Sequence, residues 1–148
     1  MERRFALPTI LVAVVVALAL AGVSLGGGRP LHTSLAGANE VPGPADPDGS
    51  GFARITLNQG LGQVCWRIQV SNLILPATAA HIHAAVAGVA GPIVVPLSPP
   101  DATGKSSGCA TGISRALIKA IRQHPANYYV NVHTSDFPAG AVRGQLSK

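Results

Sequence analysis

From Gly51 to Leu57 the chain alternates, with Ala53, Ile55 and Leu57 on one side of an extended segment and Arg54 and Thr56 on the other. Successive side chains of a strand point to opposite faces, so this stretch predicts a strand with one face in a core. Val64 to Val70 repeats the pattern: Val64, Trp66, Ile68 and Val70 form an apolar row, and Cys65, Arg67 and Gln69 face away from it. Short runs rich in Val, Ile, Thr and Tyr predict further strands near 79–84, 92–97, 107–113, 127–134 and 140–146, separated by Gly and Pro every eight to twelve residues. One segment changes period. Leu117, Ile118 and Ile121 are spaced for a helix that Ser114 can cap and Pro125 ends. The pattern predicts an antiparallel β-sandwich with one short helix and a core around Trp66.

The first thirty residues follow a different rule. Met1-Glu2-Arg3-Arg4 is a basic start, and Phe5 to Leu25 carries no charge. Such a segment enters a membrane with its N-terminus on the cytoplasmic side. Ala19-Leu20-Ala21 offers a cleavage site for a signal peptide, and an uncleaved N-terminal hydrophobic helix would anchor the chain. Either way residues 1–30, ending in the Gly26-Gly27-Gly28 tether, deliver a domain at 31–148 to an extracytoplasmic location: secreted, periplasmic or membrane-anchored.

The domain's net charge is +3, from eight Lys and Arg against five Asp and Glu. With few aromatics and no stacking platform, a surplus of this size does not predict nucleic-acid binding. Arg115, Lys119 and Arg122 share one face of the predicted helix, a solvated face unless an anionic surface meets it. Cys65 and Cys109 are the only cysteines, and an even count in an oxidising compartment predicts a Cys65–Cys109 disulfide. Free thiols or a metal ligand are the alternatives.

Candidate chemistry centres on histidine. His81-Ile82-His83 in a strand sets two imidazoles on one face, and His133, sharing its side of a strand with Asn131, is a candidate third ligand. Three neutral imidazoles suit copper or zinc. The competing reading is three hydrogen-bonded histidines that hold neighbouring strands together. Glu40 and Arg143, near opposite ends of the domain, are expected to form a bidentate ion pair that closes the sheet. Asp46-Pro47-Asp48-Gly49 has the opening of a calcium loop, but Leu57 stands where a bidentate Glu is required, so a polar turn is expected. Asp136 is expected to cap the turn Phe137-Pro138-Ala139-Gly140. Motifs of hydrolases, zinc proteases and phosphate loops are missing, and no catalytic residue is assigned.

Leu35-Ala36-Gly37-Ala38-Asn39-Glu40-Val41-Pro42, Ala80-His81-Ile82-His83, Gly91-Pro92, Asn127 through Thr134, and Pro138-Ala139-Gly140 through Leu146 together resemble the chordin-repeat family, the CHRD domain. The resemblance spans nearly all of the exported domain. It departs at Ala85, where Gly is usual, and at Ala141, where an acid is common. It implies an extracellular module with no catalytic activity assigned to it. The His-x-His element also resembles copper-zinc superoxide dismutases, which share the Greek-key sandwich, but His32 and His124 do not supply the further ligands those enzymes need. The expected function is an exported, non-enzymatic binding or structural module whose partner is an extracytoplasmic protein or surface ligand. The alternative is a copper- or zinc-binding protein, or a metal-dependent redox protein, that uses His81, His83 and His133.

Overall fold

A computed structural model describes residues 30–148, so the expected N-terminal signal or anchor lies outside the described residues. The domain is one eight-stranded antiparallel sheet: β1 (Leu31–Ala36), β2 (Ser50–Asn58), β3 (Gln63–Ser71), β4 (Ala79–Ala84), β5 (Ile93–Leu97), β6 (Lys105–Ala110), β7 (Tyr128–His133) and β8 (Val142–Gln145), with α1 (Arg115–Gln123) between β6 and β7. The spatial order is β5-β4-β7-β8-β1-β2-β3-β6. The sheet curls until its two edge strands β5 and β6 approach each other, which gives a nearly closed barrel with sandwich-like walls. No helix among the described residues is long and apolar enough to cross a membrane.

The alternating segments take the predicted phases. Ala53, Ile55 and Leu57 of β2 and Val64, Trp66, Ile68 and Val70 of β3 all face the core, with Ala53 opposite Ile68, Ile55 opposite Trp66, Leu57 opposite Val64 and Val70 opposite Gly51. The Trp66 indole Nε1 donates to Ser106 Oγ at 3.0 Å, and that hydroxyl donates to the Ser98 carbonyl at 2.6 Å. These bonds satisfy the one polar atom of a large buried ring and tie β6 to the end of β5. Outside the barrel Cys65 and Cys109, directly opposed on β3 and β6, form the disulfide. β6 stops earlier than the predicted limit of 113, because Gly112 takes a left-handed φ of +72° that turns the chain out of the sheet.

α1 begins where predicted, with the Leu117 N–H donating to Ser114 Oγ at 3.4 Å, and fully buries Ile118 and Ile121 in the barrel core. β1 was not foreshadowed by its sequence. Its Leu31-His32-Thr33-Ser34-Leu35-Ala36 is weakly patterned, and the strand owes its place to β2 on one side and β8 on the other. The Ala36–Arg143 pairing joins the two ends of the domain.

Candidate functional site

The candidate site stands on the outer face of β4, β7 and β8. Ala80, Ile82, Val130, Val132 and Val142 point into the core and are at most 1% exposed. Alternation then sends His81, His83, Tyr129, Asn131, His133, Arg143 and Gln145 the other way. Two segments, around 37–46 and 85–92, cover part of this face, which is why both faces of β7 are buried along most of its length. The polar patch lies beneath these loops, on the side of the sheet away from the core.

The three predicted histidines converge. Ala79 pairs with His133 and His81 with Asn131, which sets His81 and His133 diagonally on neighbouring strands. His81 Nδ1 is 3.2 Å from His133 Nε2, and one ligand nitrogen from each of His81, His83 and His133 falls within 4.8 Å of the others. His83 Nδ1 is 2.8 Å from the Gly91 carbonyl, and His133 Nδ1 is 3.0 Å from the Pro138 carbonyl. A carbonyl only accepts, so each of these Nδ1 atoms carries the proton and each Nε2 presents a lone pair. His83 Nε2 is buried with no hydrogen-bond partner. His81 bonds to no carbonyl and is the ring freest to adjust.

Burial first, then the neighbouring His133 and His83, pushes the His81 pKa down to about 4. His83 is lowered by burial, with the Gly91 carbonyl opposing and Arg143 adding to the fall. His133 is lowered by burial against the Pro138 carbonyl, and His83 adds to the fall. All three rings are therefore neutral at pH 7, the form that binds a metal.

The bidentate Glu40–Arg143 pair is not formed. Both residues reach the same patch, yet Glu40 Oε1 and Arg143 Nη1 have no hydrogen-bond partner. The Asn131 amide donates to Glu40 Oε2 at 3.0 Å, while Arg143 Nη2 donates to the Val86 carbonyl at 3.0 Å. The guanidinium carbon sits 3.4 Å from the centre of the Tyr129 ring, a cation–π contact that draws the arginine along the sheet. Burial raises the Glu40 carboxyl to about 7, with the Arg143 charge and hydrogen bonds from Val41 and Asn131 opposing. Gly140 lies against this carboxyl: a Cβ there would come within 2.5 Å of Oε2, and its φ of +149° also favours glycine.

Tyr129 was overlooked in the sequence. Its ring stacks on His83 at 4.8 Å with 10° between the planes, and its hydroxyl accepts from the Gly91 N–H at 3.2 Å. The alternation of Tyr129, Asn131 and His133 was the available signal. Other candidates lie apart from the cluster. His32 stacks on Phe52, and His124 is exposed at the end of α1. Asp46 Oδ1 accepts from the N–H groups of Asp48 and Gly49, which makes the polar turn that was expected. The Phe137 turn is capped by Thr134 Oγ1 rather than by Asp136, because the hydroxyl three residues back reaches the Phe137 N–H at 3.3 Å.

Compared with known proteins, residues 31–146 match the CHRD domain family. No curated protein and no solved structure matches the chain.

Proposed function

Because the chain belongs to the CHRD-domain family and is thereby a binding or structural module, we propose that it is an exported member that binds a copper or zinc ion through His81, His83 and His133. The observation that carries this reading is the pair of outer hydrogen bonds from His83 to Gly91 and from His133 to Pro138, which hold the proton on each Nδ1 and leave each Nε2 lone pair available, in a cluster whose three ligand nitrogens lie within 4.8 Å of one another. Metal-bound histidines use such bonds to fix ring orientation and tautomer. Ligands about 2.0–2.1 Å from a tetrahedral ion are about 3.3 Å apart, close to the 3.2 Å between His81 and His133. All three ligand nitrogens lie within 4.8 Å of one another, and His81 carries its proton on Nε2 when its Nδ1 is a ligand. Three imidazoles leave a fourth position open. A buried His83 nitrogen with no other partner also fits the group, since an unpaired buried polar atom costs about 1–3 kcal/mol.

Export is supported by the uncharged stretch Phe5 to Leu25 behind a basic start and by the disulfide, which persists in oxidising compartments. Metal analysis of protein purified without an affinity tag tests the central claim. One copper or zinc per chain, lost on His83→Ala, is expected. An empty site after incubation with either ion and dialysis overturns it. Mass spectrometry of the same material reads the mature N-terminus.

A further inference from the structure

The outer face of β1, β2, β3 and β6 is open to solvent, unlike that of β4, β7 and β8. Alternation puts Phe52, Arg54, Arg67, Gln69, Lys105 and Ser107 on it, and all six side chains are exposed. Strand register orders them in two rows across the sheet. His32, Arg54, Arg67 and Ser107 are opposed in turn, and the next row is Ser34, Phe52, Gln69 and Lys105. The four strands contain no Asp or Glu. Asp101, in the turn before β6, spends Oδ1 on the N–H groups of Thr103 and Lys105 and on the Thr103 hydroxyl. Like charges directly opposed on neighbouring strands destabilise a sheet, so folding gives no reason for Arg54 to face Arg67.

Beside Arg67 the surface sinks into a hollow of about 550 Å³, bordered by Arg67, Gln69, Ser98, Asp101, Lys105 and Ser107. All of these are exposed, so their amide, hydroxyl and charged groups are within reach of a ligand. The volume is ordinary for a ligand site, but a polar border of this kind suits a ring that carries hydroxyl groups rather than an apolar one. The floor is fixed, because the Cys65–Cys109 disulfide locks β3 to β6 two positions along from the Arg67–Ser107 pair. At the other side of the face the Phe52 ring, 48% exposed, stacks on His32 with centroids 5.6 Å apart and offers a flat apolar surface.

We infer that this face binds an acidic polysaccharide laid across the strands, with sugar carboxylates paired to Arg54, Arg67 and Lys105 and one sugar ring seated in the hollow. Neighbouring strands are about 4.8 Å apart, so cations on successive strands meet a chain that carries one acid group on each ring. Arginine pairs bidentately with a planar carboxylate. Gln69, Ser98 and Ser107 match the hydroxyl groups of the rings. An acidic peptide would bring the charge without those hydroxyls.

Titrations followed by amide chemical shifts at constant ionic strength test this, with a mannuronate tetramer, the mannuronate monomer, a neutral mannose tetramer and tetraglutamate as probes. Saturable shifts at residues 52–54, 67–69, 98 and 105–107 are expected with the mannuronate tetramer, with the monomer bound at least about tenfold more weakly, as the loss of further charged contacts requires. Arg54→Gln and Arg67→Gln should each weaken the tetramer about tenfold, the value of one charge-assisted contact. Both side chains are exposed and oppose each other, so neither change should lower the melting temperature, and lost affinity reads as a lost contact. Lys119→Gln, on the exposed side of α1, removes the same charge away from this face and should leave binding unaltered. Binding of tetraglutamate or of the neutral tetramer as tight as that of the mannuronate tetramer, a monomer that binds as well as the tetramer, no saturable shift at all, or unaltered affinity in both arginine variants would each overturn the inference.

Discussion

Replacing Glu40 by Gln should remove one slope from the pH dependence of stability. Burial carries the Glu40 carboxyl from its ordinary 4.5 to about 7, although Arg143, the Val41 N–H and the Asn131 amide all pull it down. Between these values the folded chain keeps a proton that the unfolded chain has released. The group's contribution to stability is therefore complete below the unfolded value and is lost as pH rises through about 7. The gap corresponds to about 3 kcal/mol, which partial solvent screening reduces to about 1–2 kcal/mol. Gln has the shape of the protonated acid and can still accept from Asn131. Urea unfolding of both proteins from about pH 4 to pH 8 should give similar stabilities at the acid end and a variant more stable by about 1–2 kcal/mol at the alkaline end. His81, held down to about 4, gives the opposite slope between its folded and ordinary values, but it is present in both proteins and cancels in the difference. Parallel stability curves, or a variant less stable at pH 8, would refute the reasoning, since either result requires a Glu40 ionised at no cost beside Arg143.

Replacing Cys65 and Cys109 together by Ser should lower stability by roughly 4 kcal/mol, the loop-closure value for residues separated by 44 positions, read as a shift in the urea midpoint against the oxidised protein. Gly140→Ala should cost on the order of 1–3 kcal/mol, because its Cβ would meet the Glu40 carboxyl. Part of that loss should return when Glu40 is also replaced by Ala, a coupling that a double-mutant cycle measures and that additive losses would disprove. Copper or zinc should be retained below the ordinary histidine value of 6.5, since burial lowers the pKa of all three imidazoles. Equilibrium dialysis across pH checks this, and release already complete near pH 6.5 would contradict it.

The alternating rows of β2 and β3, the cap and buried face of α1, and the strand phases of His81, His83 and His133 were legible because each depends on neighbours one to four residues away. β1 was not legible, since its extension is imposed by partners about twenty and about a hundred residues distant. The fate of Glu40 and Arg143 was misread for a related reason. Opposite charges at the two ends of a domain suggest a pair, but whether they touch depends on what else competes at the contact. Asn131 and Tyr129 each offer a closer partner.

Local alternation and turn chemistry thus decided which side chains share a face, that the domain is an antiparallel β structure, and which cysteines join. Tertiary structure decided the rest: that the sheet curls into a nearly closed barrel, that the histidine face lies outward under two covering segments, and that a buried arginine is left without its carboxylate. Face and period are properties of a few consecutive residues. Burial, pKa and unmet hydrogen bonds depend on segments such as 37–46 and 85–92, whose position over β7 and β8 arises from contacts far along the chain.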